Sequence, residues 1–155
     1  MTESVIWTAP ESPARSARRM LEEMDEAECL RLISPGGVGR IAFTGRFGPM
    51  VLPVGYRLHE GTIVFLTTQD SPTNEDLRTG IAHAEYHVAF EIDDFDVAGR
   101  VGWSVMVQGS VHHVDSATER NSLLDAGIEV WPEGERQHFI RITPIHISGR
   151  RISQR

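Results

Sequence analysis

The fold of this chain is decided by residues 39–68, whose sequence is GRIAFTGRFGPMVLPVGYRLHEGTIVFLTT. GRFG (45–48) and the pair Glu60–Gly61 interrupt this stretch, and glycine favours tight turns because it adopts backbone conformations that other residues avoid. Alternating apolar positions and β-branched residues predict three strands, over 39–44, 49–59 and 62–68. The stretch therefore predicts an antiparallel meander.

The second of these strands has an irregular centre. Its even-numbered residues from Met50 to Leu58 are apolar or aromatic, and alternate residues of a strand share one face. Pro53 and Gly55 lie in the middle, where proline removes a ladder hydrogen bond and glycine brings no side chain. We expect an edge, a bulge or a close approach of another group to the backbone here.

The residues before the meander have a helical period. In residues 17–33, ARRMLEEMDEAECLRLI, apolar side chains recur at helical spacing. Asp25 followed by Glu28 resembles a capping box that begins a helix. We expect one or two short helices, ended by Pro35 and the two glycines that follow it.

The residues after the meander alternate between strands and short helices. Ser71 as N-cap and Pro72 at the first helical position predict a short helix that includes residues 74–79. Strands follow over 85–93 and 101–114, and a second helix begins at Ser116. Residues 138–152 predict two closing strands separated at Pro144. This order favours a mainly β fold, an antiparallel barrel of six or more strands with a few helices, over a parallel βαβ sheet.

Length and composition indicate one compact domain. Residues 1–16 are rich in Pro, Ser, Thr and Glu, which predicts a flexible arm before a domain over 17–155. Cys29 is the single cysteine, so no bridge can form within the chain, and the first thirty residues contain no apolar stretch typical of a leader. We expect a cytoplasmic protein. No apolar run reaches the roughly 20 residues that span a bilayer, which argues against a membrane span.

The charge pattern argues against nucleic acid as a partner. The formal net charge is −7, whereas proteins that bind a phosphate backbone carry clustered positive charge. All fifteen basic residues are arginine, so chemistry that needs a lysine amine is excluded. An anionic ligand would be held by arginine, hydroxyl groups or backbone N–H groups.

The histidines and acidic residues do not form a convincing metal site. His83 and His87 are four apart, but in a strand such residues lie about 13 Å from each other. His112 and His113 are neighbours, and neighbours on a strand point to opposite faces. The acidic run EIDDFD (91–96) is typical of a strand that ends in a solvated turn. We therefore expect no metal ion, and we interpret Cys29 as a small core residue.

The segment FLTTQDSPTNEDL (65–77) is the best candidate for an anion site. It ends a strand in Thr67 and Thr68 and opens a helix at Ser71. Hydroxyl groups and helix N-terminal amides meet there, which is where a phosphate is stabilised. An ordinary helix cap explains the same residues equally well.

These segments together resemble the pyridoxamine 5′-phosphate oxidase-like superfamily, the FMN-binding split barrels. The resemblance covers about Cys29 to Ile152 and rests on the order and spacing of several short pieces: GRIAF (39–43), PMVLPVGY (49–56), FLTTQDS (65–71), VAFEIDDFD (88–96), GWSVMVQG (102–109) and FIRITPIHISGRRI (139–152). It implies an antiparallel six-stranded split β-barrel and a homodimer with two cofactor sites at the interface.

The resemblance also implies roles for particular residues. The strand that includes Val51, Leu52, Pro53 and Val54 would run along the isoalloxazine ring of FMN. Thr67, Thr68, Ser71 and Thr73 would form the phosphate turn. Trp103 would pack inward or across the interface, Ser104 would reach a polar edge of the cofactor, and Trp131 would pack near the ring.

One departure weakens the expected phosphate site. Members that hold FMN tightly have lysine or arginine where this chain has Thr73. Each lost charge-assisted contact typically costs about 1.5–3 kcal/mol. Arg141 is the substitute that we predict, with Arg78 and Arg150 as alternatives.

The resemblance predicts an oxidoreductase that holds FMN, or with less support the deazaflavin F420, and acts on a small molecule. Haem is the least favoured cofactor. In such enzymes the cofactor carries the chemistry, which agrees with the lack of a visible acid–base pair. The alternative is a non-catalytic protein that senses or stores flavin or haem in a degraded pocket.

Overall fold

The computed structural model describes residues 19–68, 72–77, 86–128 and 137–154. The predicted arm over 1–16 lies outside these residues. Within them the chain forms seven strands: β1 (Arg19–Met24), β2 (Gly37–Gly45), β3 (Gly48–His59), β4 (Thr62–Thr68), β5 (Tyr86–Asp96), β6 (Val101–His113) and β7 (Gln137–Gln154). Three helices lie between them: α1 (Glu26–Ile33), α2 (Pro72–Asp76) and α3 (Ala117–Asp125).

The strands close into an antiparallel barrel. Their order is β1-β7-β4-β3-β2-β5-β6, and an additional pairing of β6 with β7 closes the ring. Six strands, β2 to β7, form this ring, while β1 pairs only with the end of β7. The predicted mainly β fold and six-stranded split barrel are confirmed.

The meander prediction is confirmed, and its turns hold the expected register. Gly45 pairs with Gly48 across the first turn, and His59 pairs with Thr62 across the second. Glu60 and Gly61 both have positive φ, 49° and 74°. A two-residue turn with positive φ at both positions matches the twist of the strands that it joins.

The helix prediction over 17–33 is wrong in its first half. Residues Arg19–Met24 form a strand that pairs with the end of β7, from Arg19 opposite Gln154 to Met24 opposite Gly149. Six residues are too few for a stable isolated helix, so an available sheet edge overrides their helical period. The second half is confirmed, because Asp25 Oδ1 accepts a hydrogen bond from Glu28 N at 2.8 Å and begins α1.

The prediction of two closing strands separated at Pro144 is also wrong. β7 is one strand of eighteen residues, and its register against β6 shifts between Gln108 and Gly109. Gln108 pairs with His146 and Gly109 with Pro144, so Ile145 is the extra residue of a bulge. A bulge accommodates a proline that cannot donate to the ladder. Glycine is required opposite it, since a Cβ at Gly109 would lie 2.3 Å from Thr143 O.

The core fills the barrel interior. Phe65 and Phe90 pack with ring centroids 6.2 Å apart, and Ile41 and Ile142 are fully buried beside them. At the end closed by α1, the Tyr56 hydroxyl donates to Ile33 O at 2.8 Å. Burial raises the pKa of Tyr56 to about 12.

The two other helices follow β4 and β6 along the chain. α3 begins at the predicted cap, with Ser116 Oγ accepting from Glu119 N at 3.0 Å, and it packs Leu123 on the outward side of β4 and β7. α2 begins at Pro72, near the predicted position, and ends at Asp76, earlier than predicted. The described helices include none that is long and apolar enough to cross a membrane.

Candidate functional site

A groove of about 630 Å³ lies on the outer face of the barrel. One row of paired residues crosses it: Val51 on β3, Ala42 on β2, Ala89 on β5, Gln108 on β6 and His146 on β7. The two alanines lie in the middle of the row, where larger side chains would fill the space. The groove therefore crosses five neighbouring strands and has small side chains in its middle.

The edges of the groove carry hydrogen-bonding and apolar side chains. His87, Gln108 and His146 are exposed at its polar side, and Val51 and Ile145 are its exposed apolar residues. The described lining residues include neither a carboxylate nor an arginine. Pockets of this kind, mostly apolar with a few polar groups, suit a flat organic ring.

β3 places the four residues predicted to lie along the ring on two faces. Val51 and Pro53 are exposed on the outer face, whereas Leu52 and Val54 pack against the barrel core. Only Val51 of these four lines the groove. A ligand on the outer face would meet the side chains of Val51 and Pro53 and the backbone of the whole strand.

Two residues of the predicted phosphate turn lie close to Asn74, which is buried. Thr67 Oγ1 donates to Asn74 Oδ1 at 3.5 Å, and Thr73 is half-buried beside it. Ser71 and the side chain of Thr68 lie outside the described residues. Thr73 thus lies in α2, and Thr67 contacts Asn74 of the same short helix.

Two residues anchor α2, and the sequence pattern did not indicate this role for either of them. Arg46 Nη2 lies 2.9 Å from Asp76 Oδ1 and 3.4 Å from Glu75 Oε2, and this hydrogen bond lowers the pKa of Asp76. At the other side, His113 Nε2 donates to Asn74 O at 3.2 Å. The turn GRFG was visible in sequence, but its contact with α2 depends on tertiary packing.

Trp103 and Ser104 point to opposite sides of β6. Trp103 packs against the barrel core, while Ser104 lines a hollow of about 470 Å³ beside Arg150 and His146. Because His146 also lines the groove, the hollow and the groove adjoin. Trp131, predicted near the ring, lies outside the described residues.

Arg141 lies under α3. Its Nε is 3.7 Å from Glu119 Oε1, its side chain is mostly buried, and it is not among the residues that line the groove. Arg150, an alternative cation, is exposed and pairs across β6 with Ser104. Arg78 lies outside the described residues.

A charged cluster lies next to the groove on the same face. Arg40 Nη1 is 3.4 Å from Glu91 Oε2 and 3.6 Å from Asp93 Oδ2. Desolvation and the neighbouring Asp93 raise the pKa of Glu91 to about 7. The sequence pattern at Glu91 and Asp93 is typical of a solvated strand end and gives no sign of Arg40, which lies 51 residues before Glu91.

The histidines near α3 have protein partners. His112 Nε2 lies 3.0 Å from Glu119 Oε2, and the ring of His113 lies 5.5 Å from that of His138. In the part of the chain that the structure describes, no three His, Cys, Asp or Glu side chains converge as a metal site. His83 lies outside that part.

The sequence of this chain matches a known protein family. The sequence model of the pyridoxamine 5′-phosphate oxidase family matches residues 25–151. The chain belongs to this family. The matched residues include most of the described strands and α1, and they include the groove.

Similar proteins have the same fold, and some are named for flavin. An uncharacterized protein of Mycobacterium tuberculosis, Rv0080, is 30% identical over 138 residues, which is 89% of each chain. The FAD-binding protein of Mycobacterium smegmatis superposes with a TM-score of 0.68 at 26% identity, over 84% of this chain and 98% of that one. An FAD-binding protein of Mesorhizobium loti has a TM-score of 0.68 at 22% identity, over 86% and 99%, and shows the shared fold.

Proposed function

We propose that this protein is a flavin-dependent oxidoreductase that binds the isoalloxazine ring in the groove. The observation that carries the proposal is the row of paired residues with Ala42 and Ala89 at its centre. This row leaves space above the two alanines and has hydrogen-bonding side chains at one side. FMN is the predicted cofactor. FAD, named for the M. smegmatis relative, and F420 are its competitors.

The residues of the chain would bind and orient the cofactor. Val51 and Ile145 would cover the apolar part of the ring, and Gln108 and His146 would hydrogen-bond to its polar edge. Thr67 and the turn before α2 would hold the phosphate. A bound flavin supplies hydride transfer to or from a small organic substrate.

We further propose a homodimer with the groove at the interface. Apolar side chains on this face are 40–66% exposed: Val38, Val51, Met106 and Ile145. Exposed apolar patches of this kind mark interaction sites, and a second copy would bury them and exclude water from the groove. A cytoplasmic location is part of the same proposal, supported by Cys29, which is buried and not disulfide-bonded.

The alternative is a non-catalytic protein that senses or stores a flavin. Thr73 in place of a cation favours it, as does the absence of arginine among the described groove residues. Such a protein would bind flavin without turnover by any electron donor.

A titration distinguishes these outcomes. Protein stripped of cofactor is titrated with FMN, FAD and F420, and binding is followed by fluorescence. Ala89→Leu should weaken binding at least about tenfold by filling the groove. The matched control is Ala117→Leu, since Ala117 is exposed at the start of α3. Equal affinity in the wild type and Ala89→Leu would contradict the site, and no binding of any cofactor would contradict the function.

A further inference from the structure

The charged cluster of Arg40, Glu91 and Asp93 lies beside the centre of the groove. Arg40 of β2 pairs with Glu91 of β5. Two residues further along the same two strands, Ala42 pairs with Ala89. Alternate residues of a strand share one face and lie about 7 Å apart. The ion pair therefore stands on the outer face next to the space above the two alanines.

The cluster holds three charges within ion-pair distance. Arg40 Nη1 lies 3.4 Å from Glu91 Oε2 and 3.6 Å from Asp93 Oδ2. One arginine thus faces two carboxylates, so the cluster carries one net negative charge when all three groups are ionised. The three side chains are between 32% and 48% exposed. A ligand in the groove would displace water from this side of the cluster, and charges interact more strongly when water is excluded.

The neighbouring strands add no charge in direct register with the cluster. The paired residues are Met106 opposite Glu91 and Ser104 opposite Asp93 on β6, and Pro53 opposite Arg40 on β3. Arg150 of β7 lies one strand further away, opposite Ser104. The titratable side chains of the groove itself are His87 and His146. On β2 and β5, the cluster therefore supplies the arginine and the carboxylates nearest to the two alanines.

Hydride transfer changes the charge of a flavin. A hydride brings two electrons and one proton, so the ring gains one negative charge unless a second proton follows. A cation near the ring stabilises the reduced form relative to the oxidised form and raises the reduction potential, whereas a carboxylate lowers it. Arg40 and the two carboxylates would therefore act in opposite directions on a flavin beside them.

We propose that the cluster of Arg40, Glu91 and Asp93 sets the reduction potential of the flavin in the groove. The residues act on the cofactor through space and need not touch it, so this role rests on the proposed flavin function. Arg40 raises the potential, and Glu91 and Asp93 lower it. The excess of carboxylate makes the bound cofactor a stronger hydride donor.

Protonation of Glu91 changes the charge of the cluster. Desolvation and the neighbouring Asp93 raise the pKa of Glu91 to about 7. Above that pH the cluster carries one net negative charge, and below it Arg40 and Asp93 balance each other. The effect of Glu91 on the potential should therefore be present at pH 8 and largely lost at pH 6.

The test measures the midpoint potential of FMN bound to the full-length protein, with FAD in its place if only FAD binds. The protein is reduced together with a dye of known potential. At pH 8, Arg40→Gln should shift the equilibrium toward the oxidised cofactor, and Glu91→Gln should shift it toward the reduced cofactor. We expect shifts of about three- to tenfold, where tenfold corresponds to about 30 mV for a two-electron couple. The double variant should lie between the two.

Asp94→Asn is the matched control, because it removes one carboxylate from the same strand but from an exposed position on the opposite face. It should leave the potential unchanged. Shifts of the same sign in Arg40→Gln and Glu91→Gln, or the wild-type potential in both, would overturn the role of the cluster and leave the flavin site intact. A wild type that binds neither FMN nor FAD would overturn the proposed function and this role with it.

Discussion

The outer face of the barrel has two halves that differ in what covers them. In the covered half, Val64, Val114 and Phe139 lie beneath Leu123 of α3, and all four are buried. In the uncovered half, defined by Val38, Val51, Met106 and Ile145, apolar side chains remain exposed. Among the described residues, α3 covers one half of the face, whereas apolar side chains of the other half stay exposed. The difference points to a ligand or a second copy as the cover of the uncovered half.

Removing the contact of α3 should have the largest effect on stability. Leu123→Ala removes a fully buried side chain and should lower the free energy of unfolding by about 2–5 kcal/mol. Val51→Ala, in the uncovered half, should change it by less than about 0.5 kcal/mol at protein concentrations where the chain is monomeric. Urea unfolding followed by circular dichroism measures both. A similar decrease in the free energy of unfolding in both variants would contradict the proposed difference between the two halves.

A charge in the uncovered half should disrupt self-association. Ile145→Asp places a carboxylate where the proposed dimer buries an apolar side chain, and desolvating that charge is unfavourable. The dimer dissociation constant should rise at least about tenfold, measured by analytical ultracentrifugation. Val97→Asp is the control, because Val97 is 84% exposed and lies outside this half. If both variants have the dimer dissociation constant of the wild type, a second copy of the chain does not bury the uncovered half.

Substitution of Arg46, which anchors α2, tests the role of the phosphate turn beside the groove. Arg46→Ala removes the contacts to Glu75 and Asp76, so the turn should lose its position. We expect affinity for FMN to fall several-fold, while affinity for riboflavin, which lacks the phosphate, stays the same. Arg46→Lys should restore part of the difference. A parallel loss for FMN and riboflavin would show that Arg46 acts on the fold and not on the phosphate turn.

The smallest expected effect is a pH dependence from Glu91. Its pKa is raised from 4.5 to about 7, so the folded state favours the protonated carboxyl. The resulting stability is fully present below about pH 4.5 and is lost as the pH rises through about 7. Glu91→Gln should therefore melt at a higher temperature than the wild type at pH 8, with a smaller difference near pH 4.

Asp94→Asn is the control for Glu91→Gln, because it removes one negative charge from an exposed neighbour on the same strand. Thermal unfolding is compared for both variants across pH 4–8. A Glu91→Gln variant that is less stable than the wild type at pH 8 would contradict the assignment and would show that the ion pair with Arg40 dominates.

Much of the fold could be predicted because it depends on local patterns. The period-two alternation of the meander and the caps at Asp25 and Ser116 are set by neighbours in sequence. The errors occurred at β1 and at Pro144. There the outcome depends on a partner strand, since Arg19–Met24 joins the edge of β7 and the bulge at Ile145 lies opposite Gly109.

The candidate site could be predicted only in part. Val51 was identified from the family resemblance and lines the groove. Ala42, Ala89 and His146 were missed, because nothing in their local sequence distinguishes them from ordinary strand residues. Arg141 was predicted to bind the cofactor, and the structure places it beside Glu119 under α3, so that role stays a prediction.

The sequence by itself determined the alternation of strands and turns, the helix caps and the family, because these depend on residue types at short spacing. Only the tertiary structure decided which strands meet around the barrel and which half of its face α3 covers. Those features depend on contacts between residues far apart in the chain. Short-range patterns carry no record of such contacts, and packing and backbone pairing determine them together.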